Sequence, residues 1–258
     1  MARIICRFSC GAASAVATKM VLAQYSSENV VITYSDTRSE HADNKRFLRE
    51  CEDWFGKPIT VLVNDHYADI WDVFKKERFL VGQNGAKCTG VLKRAPTYDF
   101  QQPGDVLMFG YTAEETDRAN RFRKENFEQP FITPLIEAGM TKADCLAALR
   151  QAGIEIPMMY RMGYKNNNCI GCVKGGMGYW NKIRVDFPET FERMAAQQRE
   201  LGSGSFFWRD RETKERISLD MLDPKRGRYE AEPDIECSLM CHSAIRDDIA
   251  MPKGDIHE

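Results

Sequence analysis

Apolar positions along the chain fall into short runs that alternate with amphipathic stretches. Ala2 to Phe8 (ARIICRF) is a β-branched apolar run that predicts a strand; Ser9-Cys10-Gly11 breaks it, and Ala12 to Gln24 is Ala-rich with helical character. Val30 to Tyr34 predicts a second buried strand that runs into Ser35-Asp36-Thr37, followed by a polar helix from His41 to Phe55 with Phe47, Leu48 and Cys51 at helical spacing. Further strands are predicted at Ile59 to Val63, Val106 to Phe109 and Pro130 to Thr133, with helices at Ala68 to Lys76 and Glu114 to Asn126. Strands and helices alternating at this spacing predict an α/β fold, an open, mostly parallel sheet covered by helices on both faces.

Thr141 is placed to cap an amphipathic helix over Lys142 to Gln151 that stops near Gly153 and Pro157. The regular alternation then ends. Tyr160 to Trp180 is dense in Gly, Asn and Cys; one more helix is predicted at Glu189 to Leu201, before a Gly-Ser stretch at 202–205 and a polar tail. We therefore divide the chain into a core over 1–157 and a Cys-bearing C-terminal segment over 158–258 that completes it.

Composition narrows the chemistry. With 258 residues, 43% hydrophobic and 29% charged, the chain has ordinary globular composition and can bury a sizeable core. Its net charge of −2 gives no global footprint for a nucleic acid, although a local basic groove is left open. No stretch approaches the roughly 20 consecutive apolar residues of a membrane helix, and the start of the chain lacks a signal-peptide pattern, so no membrane contact is expected and the cytoplasm is the expected location. Nine cysteines are many for a reducing compartment, and an odd number cannot all pair. Metal or redox chemistry is the question they raise.

In an open parallel sheet, ligands sit beyond the carboxyl ends of the strands, and the loop after the first strand faces a helix N-terminus. Ser9 to Ser14 (SCGAAS) occupies that loop. Small residues there let backbone N–H groups approach an anion, and the Ser9 and Ser14 hydroxyls can add hydrogen bonds. The same composition also suits any tight strand-to-helix turn; the loop lacks both the Lys-Ser/Thr ending of a P-loop and the three-glycine dinucleotide fingerprint. Asp36 and Thr37 end the second strand at the same edge, where a carboxylate can meet a ribose, an adenine-side group or a phosphate-held metal, or simply cap a helix.

Cys169-Ile-Gly-Cys172 is a C-x-x-C, and Cys237 with Cys241 forms a C-x-x-x-C; two close thiolate pairs are a common way to build a four-sulfur site for iron–sulfur or zinc. A dithiol switch is the other reading. Cys88 is a fifth candidate, whereas Cys6, Cys51 and Cys145 fall on predicted strand and helices and read as small buried hydrophobes. The histidines form no zincin pattern; His242, next to Cys241, is a weak cue to ligation.

Taken in order, Phe8-Ser9-Cys10-Gly11-Ala12-Ala13-Ser14, Ser35-Asp36-Thr37, Cys88-Thr89-x-x-Leu92-Lys93-x-x-Pro96, Gly110 through Glu114-Glu115 to Arg118, Pro134-Leu135, Thr141, Tyr160, Gly163 and Cys169-x-x-Cys172 resemble the phosphoadenosine phosphosulfate (PAPS) reductase family of the PP-loop adenine-nucleotide group. The similarity spans residues 3 to about 180. It implies a Rossmann-like fold in which Ser9, Cys10, Gly11, Ala12 and Ser14 cradle phosphate or sulfate, Asp36 and Thr37 stand near an adenine nucleotide (PAPS, adenylyl sulfate or ATP), and Lys93 and Arg118 face its anionic part. It also implies a [4Fe–4S] cluster, with zinc as the alternative, on Cys88, Cys169, Cys172 and Cys241. A thioredoxin-like protein or small thiol as reductant and a second copy of the chain are the partners that follow, with nucleic acid left open.

Departures from the family pattern matter as much. Thr89 stands where cluster-bearing relatives have a second cysteine, so the fourth sulfur must come from Cys237, Cys241 or a non-protein ligand. Ala13 replaces the Asp of ATP-cleaving members. The Glu236-Cys237-Ser238-Leu239-Met240-Cys241-His242 tail is similar to the Glu-Cys-Gly-Leu-His tail that carries the nucleophile of sulfonucleotide reductases. The leading expectation is a sulfonucleotide reductase with Cys237 as nucleophile. The alternatives are an ATP-dependent sulfur transferase that uses an iron–sulfur cluster, and a nucleotide-binding regulatory protein with a structural zinc.

Overall fold

The computed structural model describes residues 2–82, 85–210, 213–235 and 237. Cys241, expected among the metal ligands, and His242 lie outside the described residues. In chain order the elements are β1 (Ile4–Arg7), α1 (Ala12–Gln24), β2 (Val30–Ser35), α2 (Asn44–Phe55), β3 (Ile59–Leu62), α3 (Ile70–Glu77), β4 (Val81–Gly82) and β5 (Gly85–Ala86). A wide helical segment, Thr89–Arg94, runs into α4 (Ala95–Phe100), followed by β6 (Val106–Met108), α5 (Thr116–Glu125), β7 (Phe131–Ile132) and α6 (Pro134–Glu137). The chain continues through α7 (Lys142–Gln151), α8 (Met158–Arg161), α9 (Met177–Asp186), α10 (Pro188–Leu201), β8 (Trp208–Arg209) and β9 (Arg216–Ile217).

Five strands form one sheet in the order β3-β2-β1-β6-β7, and each neighbouring pair is parallel. This is the predicted open α/β sheet. Side-chain alternation along β1 divides the core: Ile4, Cys6 and Phe8 pack with Val16 and Val21 of α1, Phe47 and Cys51 of α2, and Cys145 and Leu149 of α7. Ile5 faces the other way, against Leu107, Phe109 and Phe122. Cys6, Cys51 and Cys145 are thus fully buried apolar side chains, and burial pushes the Cys6 thiol up to about 12. Among the described residues no helix is long and apolar enough to cross a membrane.

Local signals set the helix ends. Thr141 caps α7 in a reciprocal box with Asp144, its hydroxyl 2.6 Å from the Asp144 carboxylate. Gly56 ends α2 at φ +66°, a left-handed conformation that glycine adopts freely. A second apolar cluster joins Ile70, Phe74, Leu80, Ala86 and Leu92 to Trp180, Ile183, Phe191, Met194 and Leu219. It sets the chain around Cys88 against the chain around Cys169 and Cys172.

Absent from the sequence expectations were the β4–β5 hairpin, the helical run 89–100, the short helices α6 and α8, helix α9 and the β8–β9 hairpin. Pro96 reads as a helix breaker, but it sits in the first turn of α4, where its missing N–H has no partner to lose. Helix α9 was hidden by its glycines. A Cβ on Gly178 would come within 2.4 Å of the Tyr229 amide nitrogen, so the later chain lies directly on this helix.

Asp43 ties α2 to the segment before α8, accepting from Arg46 Nε at 2.8 Å, Arg46 Nη2 at 2.9 Å and the Met158 amide at 2.8 Å. These hydrogen bonds, led by Arg46 and opposed by partial burial, hold its carboxyl below the ordinary aspartate value. A depressed folded-state pKa contributes stability that is present above the unfolded value of about 3.9 and lost as pH falls through the folded one. Asp43→Ala should destabilise the protein by about 2 kcal/mol at pH 7, and wild type and variant should converge at the acid end of a urea-unfolding series; a constant difference down to pH 2 would refute this account.

Candidate functional site

The β1–α1 turn is organised by its own hydroxyls. Ser14 Oγ accepts from the Ser9 amide at 3.1 Å, lies 3.1 Å from Ser9 Oγ and donates to the Gly11 carbonyl at 3.0 Å. Cys10 takes φ +58°. Its thiol turns into the core toward the Asn44 carbonyl at 3.6 Å, and its own carbonyl accepts from Asn167 Nδ2 at 2.6 Å. The first turn of α1 has neither a side-chain cap nor an acidic residue, so its positive end is open to an anion.

β6 exits directly against this turn: a Cβ on Gly110 would lie 2.7 Å from Ser14 Cα and 2.8 Å from its nitrogen. Only glycine allows that approach. On the other side, the Tyr160 hydroxyl accepts the backbone N–H groups of Ala12 and Asn167.

A cavity of about 500 Å³ opens here, lined by Ser9, Gly11, Ala13 and Ser14 of the turn, by Lys93 and Arg118, and by Gly110 to Thr112, Asn166 to Asn168 and Cys237. Arg118 lies over the Tyr111 ring at 4.7 Å from its centroid and pairs with Glu115 at 2.5 Å. Not every expected residue lines the cavity: the side chains of Cys10, Ala12, Asp36 and Thr37 do not. Asp36 Oδ1 accepts from the Arg38 amide at 2.7 Å, and Thr37 faces the thiols instead, with Oγ1 3.1 Å from Cys169 Sγ.

A second, smaller cavity of about 20 Å³ is lined by Cys88, Cys169, Cys172 and Cys237 with Thr37, Thr89, Ile70, Phe74 and Val173. Four sulfurs from three distant stretches therefore face one void. Thr89, at the position of the absent second cysteine, has its hydroxyl 3.3 Å from Cys237 Sγ. The fourth sulfur at this void is that of Cys237.

Burial pushes the thiols of Cys88 and Cys169 well up and that of Cys172 to about 11. Cys237 differs. Burial raises its pKa, but the cations Lys93 and Lys174 and the Thr89 hydroxyl outweigh burial and leave the thiol below its ordinary value.

Lys93, Asn168 and Cys237 line both cavities and form the wall between them. Lys93 Nζ is 3.3 Å from the Glu40 carboxylate, whose side chain is 4% exposed and also accepts from Tyr34 Oη at 2.5 Å and Asn44 Nδ2 at 2.8 Å. Burial pushes the Lys93 ammonium down; Cys237, Glu40 and Cys169 more than reverse this and hold it above the ordinary lysine value. Glu40 was missed in the sequence. It sits in a polar helix approach with no motif, and only the fold reveals its burial.

The segment that carries Cys237 is fastened along its approach. Glu232 caps the first turn of α9, accepting from the Gly178 amide at 2.6 Å and the Tyr179 amide at 3.0 Å. The Tyr229 hydroxyl accepts from the Lys165 amide at 2.7 Å, Lys142 pairs with Asp234 at 2.8 Å, and Asn168 Nδ2 donates to the Ile235 carbonyl at 3.1 Å.

Thiols are the only metal-ligating side chains of the smaller cavity, a soft set suited to zinc or iron–sulfur. Among the described residues, no group of three or more His, Cys, Asp or Glu side chains closes on a single ion position. Cys88, Cys169, Cys172 and Cys237 supply the soft donors that either group would use.

Neither protein-family models nor curated protein sequences give a match to this chain. Among solved structures, the chain is similar to phosphoadenylyl-sulfate (PAPS) reductase from Candida auris in its phosphate complex, at 11% identity and a TM-score of 0.50, over 66% of this chain and 82% of that one. The class defined by the sheet order is an open α/β fold whose first strand ends in a turn of small residues at an uncapped helix N-terminus. More particularly, the chain has the fold of PAPS reductase.

Proposed function

We propose that the protein is a sulfonucleotide reductase-like enzyme that uses Cys237 as its nucleophile. The observation that carries this reading is the shared wall: the thiol with the lowered pKa lies between the cavity built on the anion-accepting turn and the cavity of thiols. The turn and the α1 N-terminus would take the 5′ anion of an adenine nucleotide, with Lys93 and Arg118 facing its sulfonyl end.

The Cys237 thiolate attacks the sulfur of the bound adenylyl sulfate. A sulfur–sulfur bond forms, the bond from sulfur to the bridging oxygen breaks, and the nucleotide monophosphate leaves with that oxygen and its electron pair. A thiol of the thioredoxin or small-molecule class then attacks Cys237 Sγ and displaces sulfite, leaving a mixed disulfide that a second thiol reduces. Two thiols are oxidised to one disulfide as sulfate sulfur is reduced to sulfite. The Lys93 ammonium favours the thiolate form of Cys237 before attack and after the final reduction.

Cys88, Cys169 and Cys172 would hold a [4Fe–4S] cluster, which when bound supplies a polarisable, redox-active group beside the reacting sulfur. Purified anaerobically, the protein should bind adenylyl sulfate or its 3′-phosphorylated form in a calorimeter and release sulfite when dithiothreitol or thioredoxin is added. Absence of heat with any adenylate, or pyrophosphate release from ATP without sulfite, would overturn the proposal.

A further inference from the structure

The loop between Cys169 and Cys172 is held by a phenol that takes no part in the chemistry described so far. Tyr179, in the first turn of α9, is 2% exposed. Its hydroxyl accepts the Gly171 amide at 3.1 Å and the Cys172 amide at 2.9 Å, and donates toward the Cys169 carbonyl at 3.4 Å. One oxygen thus ties both ends of the C-x-x-C and its middle glycine, and its proton and both lone pairs are used.

The ring reaches the loop because small residues make room for it. A Cβ on Gly175 would lie 1.9 Å from Tyr179 Cδ1, so only glycine leaves space there for the phenol. Gly171 takes φ +77°, a left-handed conformation that turns the chain between the two cysteines. The ring is fixed from behind as well. The Tyr179 amide donates to Glu232 at 3.0 Å, and the rings of Tyr164, Trp180 and Tyr229 surround it with centroids 5.8 to 6.3 Å away.

Tyr179 does not line the thiol cavity, so it acts on the sulfurs through the loop and not as a ligand. Its hydrogen bonds satisfy the loop's own polar groups, and the buried Gly171 amide would be orphaned without them. The loop therefore needs no ion to hold its shape. A loop already ordered loses less conformational freedom on capturing an ion than one that the ion must order.

We infer that Tyr179 is a positioning residue for the thiol site, its hydroxyl preorganising the Cys169–Cys172 loop so that a thiophilic metal group meets ligands already in place. This rests on the reading of the smaller cavity as a metal site.

The test is a Co²⁺ titration of the reduced, metal-free full chain under anaerobic conditions, followed by thiolate-to-Co²⁺ charge-transfer absorption. Tyr179→Phe keeps the ring and removes only the oxygen. It should weaken Co²⁺ binding roughly tenfold or more, with the spectrum at saturation unchanged because the ligands are the same. Tyr164→Phe removes a hydroxyl from the same ring cluster that bonds to none of the loop's groups, and should leave Co²⁺ affinity at the wild-type value. Hydrogen exchange supplies a measurement that needs no variant: in metal-free wild type the Gly171 and Cys172 amides should be protected. In Tyr179→Phe those two should exchange roughly tenfold faster or more, while amides of β1 and α1 keep their rates. A smaller loss of affinity in Tyr179→Phe, an equal loss in both variants, or rapid exchange of the two amides in wild type overturns the inference and leaves the metal reading intact. If wild type develops no charge-transfer band with Co²⁺, the metal reading itself falls.

Discussion

Cys237→Ser is expected to lower sulfite production by roughly 10³-fold or more while nucleotide affinity changes little. A serine hydroxyl beside Lys93 is a far poorer nucleophile than a thiolate, because its proton is lost only at much higher pH. Serine is close to cysteine in shape and keeps a polar group on the side of the Thr89 hydroxyl, so nucleotide binding should not suffer from misfolding. Mass spectrometry of wild type mixed with substrate in the absence of thiol should show one added sulfonate on Cys237. Turnover within tenfold of wild type in the serine variant, or a sulfonate on another cysteine, would remove Cys237 from the reaction. Iron and sulfide analysis of the same variant separates a second role: full retention of both means that Cys237 is not needed to hold a cluster.

Lys93→Met should act on stability and on catalysis by different routes. It strips the cation from a Glu40 carboxylate that is almost fully buried, and breaking a buried pair from one side costs about 3 kcal/mol, here moderated by the Tyr34 and Asn44 hydrogen bonds that Glu40 keeps. Adding Glu40→Gln removes the orphaned charge, so the double variant should regain most of the lost stability in urea unfolding. It should not regain activity. The cation that lowers the Cys237 pKa, and that in the proposed reaction faces the substrate anion, is still missing, and kcat/KM should stay about 10²- to 10³-fold down in both variants. Recovery of turnover along with stability would mean that Lys93 is only structural.

The sheet was legible from the sequence because a parallel strand buried on both faces leaves an unbroken apolar run, as at Val30 to Tyr34, and Ile59 to Val63 kept its β-branched run although β3 is an edge strand with Val61 exposed. The turn was legible because Ser9 to Ser14 is short, small and placed after the first such run. Much of the wall was not. Lys93 and Cys88 lie in a helical run that Pro96 disguises, and nothing in the one-dimensional pattern reveals that Thr89 meets Cys237 across 148 residues. Arg7 and Glu40 were invisible for a related reason. A charged residue reads as solvent-exposed until the fold encloses it, and only tertiary packing shows that β1 ends with a guanidinium under α4 and that Tyr34 and Asn44 close over a carboxylate. Asp36 was expected near the nucleotide from its position after β2; its Oδ1 accepts from the adjacent Arg38 amide, and its side chain does not line the larger cavity.

The contact between Gly110 and the backbone of Ser14 has a practical corollary for redesign. With no clearance for even a methyl group between the exit of β6 and the first helical turn, the spacing of β6 and the β1–α1 turn is fixed by main chain and cannot be adjusted through side-chain choice. Libraries aimed at accepting bulkier leaving groups will gain little there. Diversity is better placed at Ser35, a partly buried position on the same cavity wall outside the turn.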